Sequence, residues 1–341
     1  MNRISREGRI TQGPSLACFF HNNGGASSCA GTMNATSSTF YAQRVLRLLG
    51  QNDVEGLAGL PSDVDWPAAD FPRSRRPEVN FCLLIEAPPC RSHEFEFSLL
   101  DVASNKEIGL DEFADFSERH ELHCTHIAVH GDFLDFEDRE FWRTVPTREA
   151  VKVLAAMLPF LKQCCLELDQ VDMALASAIM GFFHGKHHFT DLRLTFYAQS
   201  FTPLMEEFIR EQLSIRNPGL ENVELEGDLL PASLRGAVTP LLGRRLIPSV
   251  SLNATNIVFD FGFFEKILLF WFSVRSPKEL SERRVFAYFD FDRSRLLEYL
   301  TVVDPEDELL LGRRYAANGA AILCRVSAGG DCLTLHFFGS H

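Results

Sequence analysis

The stretch "CCLELDQ" at residues 164–170 sets the reading of the fold, because its pattern returns three times downstream. "TDLRLTF" (190–196), "ENVELEG" (221–227) and "PSVSLNA" (248–254) share its apolar-x-apolar centre, with apolar pairs at Leu166/Leu168, Leu192/Leu194, Val223/Leu225 and Val250/Leu252. The pairs recur roughly every 26 to 31 residues. Alternation over so few residues predicts a short strand with one apolar and one polar face. A segment of helical period follows each of the four. Phe201, Leu204, Met205, Phe208, Ile209 and Leu213 fall on one helix face after the second. Leu234, Val238, Leu241 and Leu242 follow the third, with Pro231 near the helix start. Phe263, Phe264, Ile267, Leu268 and Trp271 follow the fourth. A strand and a helix in a fixed rhythm predict an α/β, leucine-rich-repeat-like solenoid, in which each unit buries its apolar side against its neighbours. The asparagine of the leucine-rich consensus is absent from most units; only "LNATN" supplies candidates, Asn253 and Asn256. The competing reading is four βα units of an ordinary α/β sheet.

The flanks divide the chain further. Residues 1–32 are rich in Gly, Ser and Asn and predict a disordered extension, with Met33 as an alternative start. Residues 33–77 combine a short amphipathic pattern (Phe40, Val45, Leu46, Leu49) with a proline-bearing linker. The solenoid is expected over 78–277, where "EVNFCLLIEA" and "HEFEFSLLDV" read as an antiparallel hairpin or two edge strands before the first repeat. Over 278–341, "AAILCRVSAGGDCLTLHFF" reads as a hairpin turning at Gly329-Gly330, and the whole piece is expected to be a β-rich cap.

Composition narrows the function. The 341 residues carry a formal net charge of −13, which speaks against a nucleic-acid binder, since phosphate contact requires clustered Lys and Arg. Acidic residues concentrate between Asp101 and Trp142, among them Asp111, Glu112, Asp115, Asp135, Glu137 and Asp138. Thirty phenylalanines against five tyrosines signal aromatic core filling without polar handles. Nine irregularly spaced cysteines fit reduced thiols and a cytoplasmic or nuclear location better than a disulfide framework. The greasy stretch "FGFFEKILLFWFSV" is interrupted by Glu265 and Lys266 and is too short to span a bilayer, so no membrane partner is expected.

Chemistry-bearing motifs are few. "ERHELHCTHIAVHGDF" (118–133) groups His120, His123, Cys124, His126 and His130. Read as a strand, it puts Ile127, Val129, His123 and Thr125 on one face and Cys124, His126, Ala128 and His130 on the other. One strand alone does not converge three or four zinc ligands, so no metal and no cofactor is expected. "HGKHH" (His184, His187, His188) has no sequence feature that brings it to the same place. "DFG" at 260–262 lacks every companion kinase motif and reads as a helix start. No catalytic residue is expected. The polar residues between the apolar pairs are the candidate partner-binding set: Glu167, Asp169, Arg193, Thr195, Glu224, Glu226, Ser251 and Asn253. The alternatives are a hydrolase, metal-dependent or otherwise, built on the His120–His130 cluster and a non-catalytic structural paralogue.

Three segments carry a family resemblance: "FIREQLSIRNPGLENVELEGD", "PSVSLNATNIVFDFGFFEKIL" and "RRVFAYFDFDRSRLLEYL". They resemble a divergent family of nematode F-box-like proteins with a leucine-rich-repeat-like body, matching its helix before a strand at Phe208 to Leu213 and its later segment at Asn256 to Phe264. The resemblance runs from about Met33 to the end. It implies a substrate-binding adaptor of a cullin-type ubiquitin ligase, docking to the Skp adaptor through residues 33–77. That segment is shorter than a full F-box, and its Leu60-Pro61 comes late.

Overall fold

The computed structural model describes residues 77–87, 93–131, 142–196, 201–228, 230–243, 248–273, 283–304, 307–314 and 321–338. The chain divides into two units, 1–34 and 35–341, and the described residues belong to the second. The expected disordered extension, and the expected F-box-like segment apart from Pro77, lie outside them.

The strands are β1 (Glu78–Glu86), β2 (Glu94–Asp101), β3 (Lys106–Ile108), β4 (Glu121–His130), β5 (Arg143–Pro146), β6 (Leu161–Asp169), β7 (Asp191–Thr195), β8 (Asn222–Glu226), β9 (Ser249–Asn253), β10 (Val258–Phe259), β11 (Arg284–Phe289), β12 (Thr301–Asp304), β13 (Asp307–Arg314), β14 (Ala321–Val326) and β15 (Cys332–Phe338). The α-helices are α1 (Leu110–Arg119), α2 (Ala150–Met157), α3 (Met173–Phe183), α4 (Pro203–Leu213), α5 (Leu234–Val238) and α6 (Phe261–Ser273).

All fifteen strands join one mixed sheet in the order β12-β13-β14-β15-β11-β9-β8-β7-β6-β4-β1-β2-β3, with β10 beside β11 and β5 beside β2. This corrects the expected solenoid of strand-helix units closed by a separate β cap. The four repeat segments form β6, β7, β8 and β9, and pair in parallel with Leu166, Leu192, Val223 and Val250 in one continuous register. Parallel pairing extends to β4 and β1 on one side and to β11 on the other. Beyond these strands the pairing turns antiparallel. β2, β3 and β5 finish one edge, while β15, β14, β13 and β12 finish the other. The physical reason lies in the connections. Tight turns such as Ser327–Asp331 return the chain at once and enforce antiparallel neighbours, whereas a crossover helix is needed to keep strands parallel. A repeat search counts strand spacing and does not register that the flanking strands hydrogen-bond into the same ladder.

One apolar layer lies on one face of this sheet. Leu166, Leu168, Leu192, Leu194, Leu225 and Leu252 are fully buried in a single cluster with residues of α2 to α6. Each helix is placed by simple signals. Asp172 caps α3 by accepting from the Ala174 and Leu175 amides, and the buried Leu175, Ala176, Ile179, Met180 and Phe183 follow at helical spacing. Thr202 caps α4, with Pro203 in its first turn. On α4 Leu204 is exposed, against the sequence expectation, while Met205, Phe208, Ile209 and Leu213 are buried. Asp260 of the "DFG" triplet accepts from the Phe263 amide and pairs with Arg235 at 2.6 Å, so it starts α6. The phenylalanines pack edge to face, Phe183 on Phe189 at 5.0 Å and Phe113 on Phe160 at 5.5 Å, as ring quadrupoles favour.

The loop between α3 and β7 is held by buried amides. Gln212 Oε1 accepts from the Phe189 amide, and Gln212 Nε2 donates to the His187 carbonyl, both at 2.9 Å. Asn217 Nδ2 donates to the Phe189 carbonyl at 2.9 Å. These side chains give irregular backbone the partners that a strand would otherwise supply. Replacing Gln212 with Leu strands a buried N–H and a buried carbonyl at once. The expected loss of unfolding free energy is about 2–4 kcal/mol, measured by denaturant titration. A loss below about 0.5 kcal/mol would show that the loop rests on packing alone.

Candidate functional site

Among the described residues, α2 to α6 share one buried core with the apolar pairs, and the opposite face of the parallel strands carries the polar residues. Register sets them in rows. One row runs Glu167, Arg193, Glu224 and Ser251; the next runs Asp169, Thr195, Glu226 and Asn253. The eight candidate residues thus stand as two adjacent rows across four strands. His130 extends the second row beside Asp169, and Ala128 the first beside Glu167. A third row, invisible to the apolar-pair pattern, runs His126, Cys165, Asp191, Asn222 and Ser249. Its members sit one residue before each apolar pair, so the strand parity that marked the other two rows would have marked this one.

Side chains tie the rows together. His126 Nε2 lies 3.1 Å from Glu167 Oε2, and Arg193 Nη1 lies 3.5 Å from the same oxygen. Burial pushes the Glu167 carboxyl upward. The hydrogen bond from His126 and the charges of His126, His130 and Arg193 outweigh it and hold the group below the usual carboxylate range. His130 Nδ1 faces Asp169 at 3.7 Å. Asn253 Nδ2 donates to Glu226 at 2.9 Å, and the Tyr288 hydroxyl donates to Asn253 at 3.4 Å. Asn222 Nδ2 donates to Asp191. Glu224 is exposed, with no hydrogen bond or ion pair among the described residues.

The histidine strand departs from strict alternation. The register of β4 against both neighbours shifts between Cys124 and His126, a β-bulge at Thr125. Cys124 therefore turns into the core with Ile127 and Val129, and does not share the face of His126. His126 instead meets Cys165 and Glu167 of β6, whose ligand-type atoms all lie within 4.8 Å of one another. His123 belongs to a second group with Glu78 and Glu121, but Lys162 Nζ stands 3.4 Å from its Nε2 and already fills that position with a positive charge. His120 stacks on Phe116, away from both groups. Of the acidic residues between Asp101 and Trp142, Asp115 is exposed; Asp135, Glu137 and Asp138 lie outside the described residues.

"HGKHH" forms a separate cluster at the C-terminal end of α3. His184 and His188 stand 3.6 and 3.7 Å from Glu211, which also accepts from the Gly185 amide. His187 packs edge-on against Phe189 at 4.7 Å, with its Nε2 buried and bonded to no described group. Burial, reinforced by the charge of His188, lowers its pKa from 6.5 to about 4. The unfolded chain therefore binds this proton at a pH where the folded chain does not. The stability that neutral His187 contributes is complete above 6.5, declines as pH falls towards 4 and changes no further below it. Between pH 7 and pH 5 this group should remove about 1–2 kcal/mol of unfolding free energy. A His187→Leu variant should lose that much less than the wild type over the same interval, measured by denaturant unfolding at both pH values; equal losses would assign the acid sensitivity to other groups.

No protein-family model, no curated protein and no solved structure matches the chain.

Proposed function

We propose that the chain is a protein-recognition module whose binding surface is the polar face of the parallel strands. One observation carries this reading: the eight polar residues from Glu167 to Asn253 stand in two registered rows, on the face of the strands opposite the core that the described helices α2 to α6 share with the apolar pairs. Rigid strands hold the rows at fixed spacing, so recognition there needs little ordering of the surface on binding. Glu167, Asp169, Glu224 and Glu226 outnumber Arg193 in these rows, which favours a partner segment bearing Lys or Arg. No helix among the described residues is long and apolar enough to cross a membrane. In this reading the module is the substrate-binding part of a cullin-type ubiquitin-ligase adaptor, with residues 33–77 contacting the Skp adaptor and the sheet face selecting the target.

Capture experiments with extract test both halves. The full chain is expected to recover Skp and cullin, and a chain starting at Glu78 to lose them. A Glu224→Lys variant, altered at an exposed side chain with no described partner, is expected to lose about tenfold in affinity for the target, a change of about 1.4 kcal/mol, while keeping Skp. Unchanged target capture by Glu224→Lys, and by Glu226→Lys beside it, would remove the sheet face as the binding surface.

A further inference from the structure

We propose that His126, Cys165 and Glu167 form a binding site for a zinc-like divalent cation, with one coordination position open to the polar face of the sheet. The donor set is an imidazole, a thiol and a carboxylate, the combination of nitrogen, sulfur and oxygen that a borderline cation accepts and that magnesium or calcium does not favour. The three donor atoms lie within 4.8 Å of one another. Ordinary zinc bond lengths in a tetrahedral site set ligand atoms about 3.3–3.6 Å apart, so small side-chain rotations suffice. His126 Nε2 and Glu167 Oε2 are already at 3.1 Å.

Two features make the site more than a chance meeting. His126 and Cys165 are direct register partners on adjacent parallel strands, and Glu167 is the next residue on the same face. Their backbones are fixed by Ile127, Leu166 and Leu168, each fully buried on the opposite side. The site is also asymmetric in exposure. Cys165 is 9% exposed, whereas the side chains of His126 and Glu167 are 26% and 24% exposed, so the thiol forms the floor and the entry lies on the imidazole and carboxylate side.

Charge balance agrees. A thiolate and a carboxylate together neutralise a dication, and the carboxylate has two oxygens, so the cation can take Oε2, beside His126, while Arg193, now 3.5 Å from Oε2, shifts to the other oxygen. Binding is a ligand exchange without redox change. Water leaves the hydrated cation, a metal–sulfur bond forms, and the Cys165 S–H proton passes to solvent. The imidazole binds through its Nε2 lone pair with its proton on Nδ1, and the cation takes the place of the proton between His126 and Glu167. Three protein ligands and one open position is the arrangement of zinc sites that retain a water or accept a ligand from a partner.

The test is a titration of the full chain, purified with its thiols reduced, with cobalt(II) followed by zinc(II). One equivalent of cobalt should produce a thiolate-to-metal charge-transfer band and the visible bands of a tetrahedral ion, and zinc should abolish both. Cys165→Ser should lose the charge-transfer band, whereas Cys82→Ser and Cys124→Ser should keep it. His126→Ala and Glu167→Gln should each weaken cobalt binding at least tenfold while still unfolding in one cooperative transition. Should Cys165→Ser fail to fold, the half-buried Glu167→Gln decides, because unchanged affinity there overturns the site. A wild-type chain without a saturable charge-transfer band, or a band that survives Cys165→Ser, also overturns it.

Discussion

One-sided burial governs this molecule. Across β4, β6, β7, β8, β9 and β11 the apolar pairs align in a single register and meet one layer of helices. A strand whose side chains alternate then has no choice about its second face: the residues between the apolar ones point away from the core and must be solvated or paired. The polar rows follow from the core packing. They are straight and evenly spaced because Leu166, Leu192, Val223 and Val250 are held in line beneath them.

The same constraint explains the close fit at the strand ends. The parallel ladder continues one residue past the strands, with the Gly131 amide donating to Asp169 and the Gly227 amide to Asn253. A Cβ on Gly131 would stand 2.0 Å from the Gln170 carbonyl oxygen, and one on Gly227 2.1 Å from that of Phe196. Gly227 also has a φ of +159°. Strand exits this close to neighbouring backbone admit only glycine.

Glu167 is where the surface is most tightly organised. Its carboxylate is shared between His126 and Arg193, which links β4, β6 and β7 across the polar face. The proposed recognition surface and the proposed cation site therefore share one residue. A cation held there would draw His126 and Cys165 towards Glu167 and reposition Arg193, whose row leads to Glu224, so occupancy of the one bears on the shape of the other.

The sequence by itself determined the local units: that the four repeat segments are strands, most of the apolar faces of α4 and α6, that Asp260 begins a helix, and which eight residues stay polar between buried neighbours. These depend on periodicity and capping over a few residues, and such signals survive without knowledge of the partner strand. Only the tertiary structure decided that β1 inserts between β2 and β4, that the C-terminal strands extend the same sheet in place of capping a solenoid, and that the bulge at Thr125 turns Cys124 inward while His126 meets Cys165. Strand pairing joins residues far apart in the chain, such as His126 and Glu167, through backbone hydrogen bonds that carry no side-chain signature. A one-residue bulge reverses the faces of everything before it.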